Sequence, residues 1–126
     1  MKFGFIGAGA VAQTIARHVL PFGHEVLLSN SRGPETLADV VAQLGRGASA
    51  GSPQQAADQE VVVLGVGWSN VPKALASITD WSGRTLIDAT NRINRDNPSD
   101  PGDLSGRTSS EIVADQAVGA KVVKAF

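Results

Sequence analysis

Residues 2–12 read Lys-Phe-Gly-Phe-Ile-Gly-Ala-Gly-Ala-Val-Ala, a short apolar run passing directly into Gly7-x-Gly9-x-x-Ala12. Glycines at that spacing, after a strand and before a helix, suit the holding of a dinucleotide by its pyrophosphate. Gly7 permits the tight turn out of the strand. Gly9 has no side chain to keep a pyrophosphate off the backbone, and Ala12 lets the new helix lie close to the strand. The turn Gly7-Ala8-Gly9 and the opening helical residues Ala10 and Val11 then present N–H groups and the positive end of a helix dipole to phosphates.

A second polar group follows about twenty residues on, where Ser29-Asn30-Ser31-Arg32 closes the next apolar stretch. A dinucleotide site that prefers NAD places an acid there to bond the ribose 2′-hydroxyl. Here two hydroxyls, an amide and a guanidinium stand in its place, and these accept a 2′-phosphate that a carboxylate would repel. At about 1.5–3 kcal/mol for each hydrogen bond to a charged group, one or two would give roughly hundredfold preference for NADP. The same residues also suit a polar turn capping the next helix. Behind the glycine turn, the reading is NADP.

Other chemistries find little support. With no cysteine, the chain has no disulfide framework and no thiolate nucleophile. Two histidines outside any ligand-spaced cluster argue against a transition-metal site, and no catalytic triad or carboxylate pair stands out. A net charge of −1 gives no electrostatic case for nucleic acid or an anionic membrane. No apolar run is long enough to span a bilayer. Lys2 precedes an apolar stretch, but the glycines interrupt it and Gln13 and Arg17 follow at once, so a signal peptide is not expected. These features predict a cytoplasmic protein.

The elements that must position the two polar groups alternate along the chain. Ala10 to Leu20 has helical spacing, with Val11, Ile15, Val19 and Phe22 on one face, and Pro21-Phe22-Gly23 ends it. A strand over 24–29 completes a βαβ unit. Pro34 starts a helix with Leu37, Val40, Val41 and Leu44 as its stripe, capped by Gly45. A short strand is expected near 48–50, and Ser52-Pro53-Gln54-Gln55 has capping-box spacing. The unbroken run from Glu60 to Val66 suits a parallel strand covered on both faces. Gly67-Trp68-Ser69 breaks it, and a short helix follows with Val71, Leu75 and Ile78. Thr85 to Asp88 is a fifth strand, and residues 91–107, rich in Asn, Asp, Pro, Ser and Gly, read as one long surface loop. Thr108-Ser109-Ser110-Glu111 opens a helix through Ile112, Val113 and Ala117, Gly119 closes it, and Lys121 to Ala125 is a last strand. The 126 residues fit one domain. The expected architecture is α/β: a three-layer, doubly wound parallel sheet of the NAD(P)-binding Rossmann type, with strand order 3-2-1-4-5-6. That order brings Gly7 to Val11 and Gly67-Trp68 to one crevice.

Gly7-Ala-Gly9, Ser29-Asn30-Ser31-Arg32-Gly33-Pro34, Val63-Leu64-Gly65-Val66-Gly67-Trp68, Asp88-Ala89-Thr90-Asn91, Ser110-Glu111-Ile112-Val113-Ala114 and Val122-Val123-Lys124-Ala125-Phe126 occur in that order. Together they resemble the NADPH-dependent coenzyme F420 reductases and their bacterial relatives, over nearly the whole chain. The resemblance implies NADP(H) as cofactor and hydride transfer between the nicotinamide C4 and a flat acceptor, a deazaflavin (coenzyme F420) or a flavin. Such a reaction needs no nucleophile or metal from the protein, which holds two rings face to face at about 3–3.5 Å. No catalytic side chain is therefore assigned. Val66, Gly67, Trp68 and Asn91 are the positions by which the family's fourth- and fifth-strand loops would approach the cofactor. Trp68 would shape the nicotinamide slot, or pack beneath its own short helix. Asn91 would touch the ribose or carboxamide.

Trp81, His18 and His24 read as structural, and Asp88 as a residue near the crevice that could equally cap a loop. Two departures stand out: Arg92 follows Asn91 where relatives commonly have Pro, and relatives continue past Phe126 into a segment that helps build the acceptor site and often a dimer. Without it, the chain would be a truncated product, or a second subunit would complete the site, or the chain would bind NADP(H) without turnover. The rival readings are an imine or ketone reductase of the pyrroline-5-carboxylate reductase type and a non-catalytic NADP(H) sensor.

Overall fold

The computed structural model describes residues 1–90 and 109–125. Its centre is a parallel sheet of six strands: β1 (Lys2–Ile6), β2 (Glu25–Ser29), β3 (Ala48–Ala50), β4 (Val61–Leu64), β5 (Thr85–Asp88) and β6 (Lys121–Lys124). They lie in the order β3-β2-β1-β4-β5-β6, as the alternation of elements predicts. Among the described residues five helices connect them: α1 (Ala10–Val19), α2 (Ala38–Leu44), α3 (Pro53–Ala57), α4 (Val71–Ala76) and α5 (Ser109–Gln116).

Strand alternation divides the core into two layers. Phe5, Val26, Leu28 and Val63 point to the side that meets Ala12 and Ala16 of α1 and Leu37 before α2. Ile6, Leu27, Val62, Leu64 and Leu86 point to the opposite side, where Ala56, Val71, Leu75, Trp81, Val113 and Ala117 close over them. The register aligns these sets, since Phe5 stands opposite both Leu28 and Val63. Burial on both faces is what a continuous Val/Leu run such as 61–64 requires. Trp81 is packed into the second layer, as expected. His18 sits on α1 with Nδ1 2.8 Å from the Thr14 carbonyl, and His24 meets the Phe3 ring edge-on at 5.4 Å.

Three expectations are corrected. The face of α1 that meets the sheet is centred on Ala12 and Ala16, with Ile15 and Val19 of the expected stripe packed at its border and Val11 and Phe22 turned away from it. Ala12 and Ala16 are fully buried, whereas Val11 is 42% and Phe22 81% exposed. Ala12 packs over the exit from β4: a Cβ on Gly65 would lie 3.8 Å from that of Ala12, in ordinary contact. Beyond Val19 a 3-10 turn over Leu20–Phe22 shifts the angular register and turns Phe22 outward. The fourth strand stops at Leu64 rather than Val66. The Gly65 N–H makes the closing bond to the Ile6 carbonyl (2.8 Å), after which the chain leaves the sheet. The second helical segment begins as a 3-10 turn over Pro34–Leu37 and becomes α-helical at Ala38. The capping box forms as read: Gln55 N–H donates to Ser52 Oγ (3.1 Å), and Ser52 N–H to Gln55 Oε1 (2.8 Å). The expected loop over 91–107 and Thr108 of the other capping box lie outside the described residues.

The tightest approach in the sheet is at Gly4, where a Cβ would collide with the Ala56 carbonyl of α3. A backbone atom on each side leaves nothing to yield except the seat of the helix. Gly4→Ala is expected to lower unfolding free energy by about 1–3 kcal/mol or more. Chemical denaturation checks this, and an unchanged midpoint would contradict the β1–α3 contact.

Candidate functional site

At the carboxyl edge of the sheet each strand hands one hydrogen bond to its neighbour's exit. Gly7 N–H donates to Ser29 O (3.0 Å), Gly65 N–H to Ile6 O (2.8 Å), Ala89 N–H to Leu64 O (3.0 Å) and Ala125 N–H to Asp88 O (3.0 Å). The residues leaving β1, β2, β4, β5 and β6 are thereby held side by side. Five parallel strands ending together around the β1–β4 reversal make the crevice in which such sheets hold ligands.

The two glycines of the first turn are required for different reasons. Gly7 has φ +103°, and a Cβ there would run into the Gly65 carbonyl oxygen and lie 3.0 Å from Val66 Cγ1. The fold itself demands glycine at this position. Gly9 has φ −82°, open to any residue, and nothing lies within 4 Å of where its Cβ would be. It is the N-cap of α1, provides no side-chain cap, and is followed by no acid in the first turn. Gly9 thus keeps open the space in front of an uncapped helix N-terminus whose first N–H groups have no intrahelical acceptor. That donor set and that space fit the pyrophosphate of a dinucleotide. Ala8 is half-buried, and its carbonyl accepts from Gln13 Nε2 (2.9 Å), which ties the turn to the helix. Ala10 and Val11 are exposed at the helix opening.

The turn after β2 separates into side chains the fold consumes and side chains it leaves available. Ser29 is fully buried and donates its hydroxyl to the Phe5 carbonyl (2.7 Å). Its expected place among ligand contacts is corrected accordingly, because no surface of Ser29 is open to a phosphate. Asn30 builds the turn. Its Oδ1 accepts from Arg32 N–H (3.1 Å) and Gly33 N–H (2.9 Å), and its Nδ2 donates to Thr36 Oγ1 (2.9 Å). Ser31 and Arg32 are exposed, and neither side chain has a hydrogen bond or ion pair among the described residues. The sequence reading missed Glu35, which folds back so that a Cβ on Gly33 would lie 2.5 Å from its Oε1. An acid therefore shares this turn, although none ends the strand.

On the other side of the crevice, Val66 is half-buried against the Gly7 turn and Gly67 is exposed. Trp68 opens a 3-10 turn over Trp68–Asn70 and packs, half-buried, against the core layer beneath α4. Its packing role is present, and part of the indole surface stays accessible. Asn91 and Arg92 lie outside the described residues.

A family model for NADP oxidoreductase, coenzyme F420-dependent, matches residues 2–92. The chain belongs to this family. Comparison with curated proteins gives no match. Among solved structures, a hypothetical protein from Sinorhizobium meliloti is 35% identical with a TM-score of 0.89, over 100% of this chain and 61% of that one. A protein from Arthrobacter sp. FB24, described as an F420-dependent NADP reductase, is 22% identical (TM-score 0.76) over 98% of this chain and 61% of its own. A reductive aminase from Aspergillus terreus, solved with NADPH and ethyl-5-oxohexanoate, is 21% identical (TM-score 0.71) over 98% and 39%. The last two likenesses establish the shared fold. The chain spans about three-fifths of the length of the first two structures. This F420-dependent NADP oxidoreductase family is one of oxidoreductases.

The two glycines and Ser29 give separable expectations. Gly7→Ala should destabilise the protein by about 1–3 kcal/mol through strain at positive φ and collision with Gly65. Gly9→Ala should leave unfolding within about 0.5 kcal/mol, because the site is open and its φ ordinary. Ser29→Ala should cost about 1 kcal/mol for a lost buried hydrogen bond. Thermal and denaturant unfolding of the three variants checks the set, and equal destabilisation by both glycine changes would contradict it.

Proposed function

We propose that the crevice binds NADP(H) and that the protein serves hydride transfer between the nicotinamide and a flat acceptor of the deazaflavin or flavin class. The observation that carries this reading is Gly9: a glycine the backbone does not need, keeping clear the space before an uncapped helix N-terminus. The family match supports the same reading, as does a neighbour solved with NADPH.

In this arrangement the N–H groups at Gly9, Ala10 and Val11 hold the pyrophosphate, and Gly7 fixes where they point. Asn30 shapes the turn that offers Ser31 and Arg32 to the 2′-phosphate. Val66, Gly67 and Trp68 border the nicotinamide half, with Asn91 proposed on the same side. The bound cofactor supplies the hydride. The protein's part is to orient the ring and shield one face, which requires no ionisable group at the reacting carbon. A second subunit or a further segment of chain would supply the wall that grips the acceptor.

Arg32 separates this site from a generic dinucleotide turn. Arg32→Ala is expected to weaken NADPH about tenfold to a hundredfold, the loss of one or two charge-assisted hydrogen bonds, and NADH by less than about twofold. Calorimetric titration of the variant with both cofactors checks it. Equal weakening of both would remove Arg32 from the 2′-phosphate site. Gly9→Val should abolish binding of both while the protein stays folded.

A further inference from the structure

One buried charge lies on the carboxyl edge without a part in cofactor binding as described so far. Asp88, the last residue of β5, is 0% exposed. Its Oδ1 accepts from Thr90 N–H (2.9 Å) and Thr90 Oγ1 (2.5 Å), and its Oδ2 from Ser110 Oγ (3.0 Å). Lys124, its register partner at the end of β6, brings Nζ to 4.0 Å from Oδ1 and donates to the Thr90 carbonyl. The carboxylate and the ammonium thus hold Thr90 from both its N–H and its C=O, one residue before Asn91. The lysine side chain is 41% exposed, whereas the aspartate is wholly enclosed.

This pair stands on a particular side of the crevice. The 2′-phosphate turn leaves β2 and the pyrophosphate turn leaves β1, so a dinucleotide laid across both carries its nicotinamide toward β4 and β5. Asp88 and Lys124 end β5 and β6, beyond that point in the same direction. The oxidised nicotinamide ring bears a positive charge and the reduced ring bears none. A fixed charge in this corner therefore acts on one redox form and not on the other.

We infer that the Asp88–Lys124 pair sets the relative affinity for oxidised and reduced nicotinamide, with Lys124 screening the oxidised ring from the buried carboxylate. The inference rests on NADP(H) occupying the crevice as proposed above. Removing the ammonium leaves the carboxylate without a counter-charge among the described residues, which favours the cationic ring. Removing the carboxylate leaves an unpaired ammonium, which opposes it. A purely structural clamp would weaken both redox forms alike in both variants. The charge pair instead moves the NADP⁺ to NADPH ratio in opposite directions.

The test is calorimetric titration of the unaltered protein, Lys124→Met and Asp88→Asn with NADP⁺ and with NADPH at low ionic strength. Lys124→Met should tighten NADP⁺ relative to NADPH by about threefold to fivefold, the effect of one unit charge over about 10 Å of partly solvated protein. Asp88→Asn should shift the ratio by a similar factor the other way, and Lys124→Arg should restore it. Unchanged ratios, or shifts of the same sign, overturn the inference while leaving cofactor binding intact. Should Asp88→Asn fail to fold, the half-exposed Lys124→Met decides alone, an unchanged ratio overturning the inference. If the unaltered protein binds neither form, the proposed cofactor site falls and this inference with it.

Discussion

The close abutment of two turns, Gly7 against Gly65-Val66, governs the carboxyl edge. A Cβ on Gly7 would collide with the Gly65 carbonyl, so the exit from β1 is pressed onto the exit from β4. That contact fixes where α1 begins. Ala12, fully buried, is seated over Gly65 in the first turn of the helix. The positive φ at Gly7, the small residues along α1 and the early end of β4 all follow from this approach.

The polar residues around the crevice divide by whether the fold has already spent them. Ser29 and Asn30 are committed, one to the β1 backbone and one to the turn it organises. Asp88, Thr90, Ser110 and Lys124 are committed to one another. Ser31 and Arg32 are exposed and keep their side-chain donors among the described residues. In the proposed reading, a guanidinium beside a turn already hydrogen-bonded by Asn30 would lose little on ordering when a phosphate arrives. Glu35 shares the turn and would oppose an anion there, so in the proposed reading Arg32 acts against a neighbouring carboxylate.

Much of this was legible in the sequence because the signals were local. Strand order followed from the alternation of elements, and the Ser52–Gln55 capping box from its spacing. Gly7 as the required glycine was readable from the turn. The buried face of α1 was not, because apolar periodicity marks the larger side chains. The centre of the contact is Ala12 and Ala16, both fully buried. The fate of Ser29 was equally hidden: side chains alternate along a strand, and which face the last residue takes depends on register. The Asp88 network joins residues 88, 90, 110 and 124 and exists only once β5 and β6 are paired. An Asp two residues before a Thr hints at a local turn, but nothing local brings in Lys124.

The central claim is that the space kept open by Gly9, with the turn carrying Arg32, is an NADP(H) site. Calorimetric titration of the unaltered protein with NADPH and with NADH tests it most directly. The account predicts micromolar binding of NADPH with NADH weaker by at least about tenfold, the contribution of about one charge-assisted hydrogen bond to the 2′-phosphate. Equal affinity for the two cofactors would contradict the role of Arg32, and binding of neither would contradict the site.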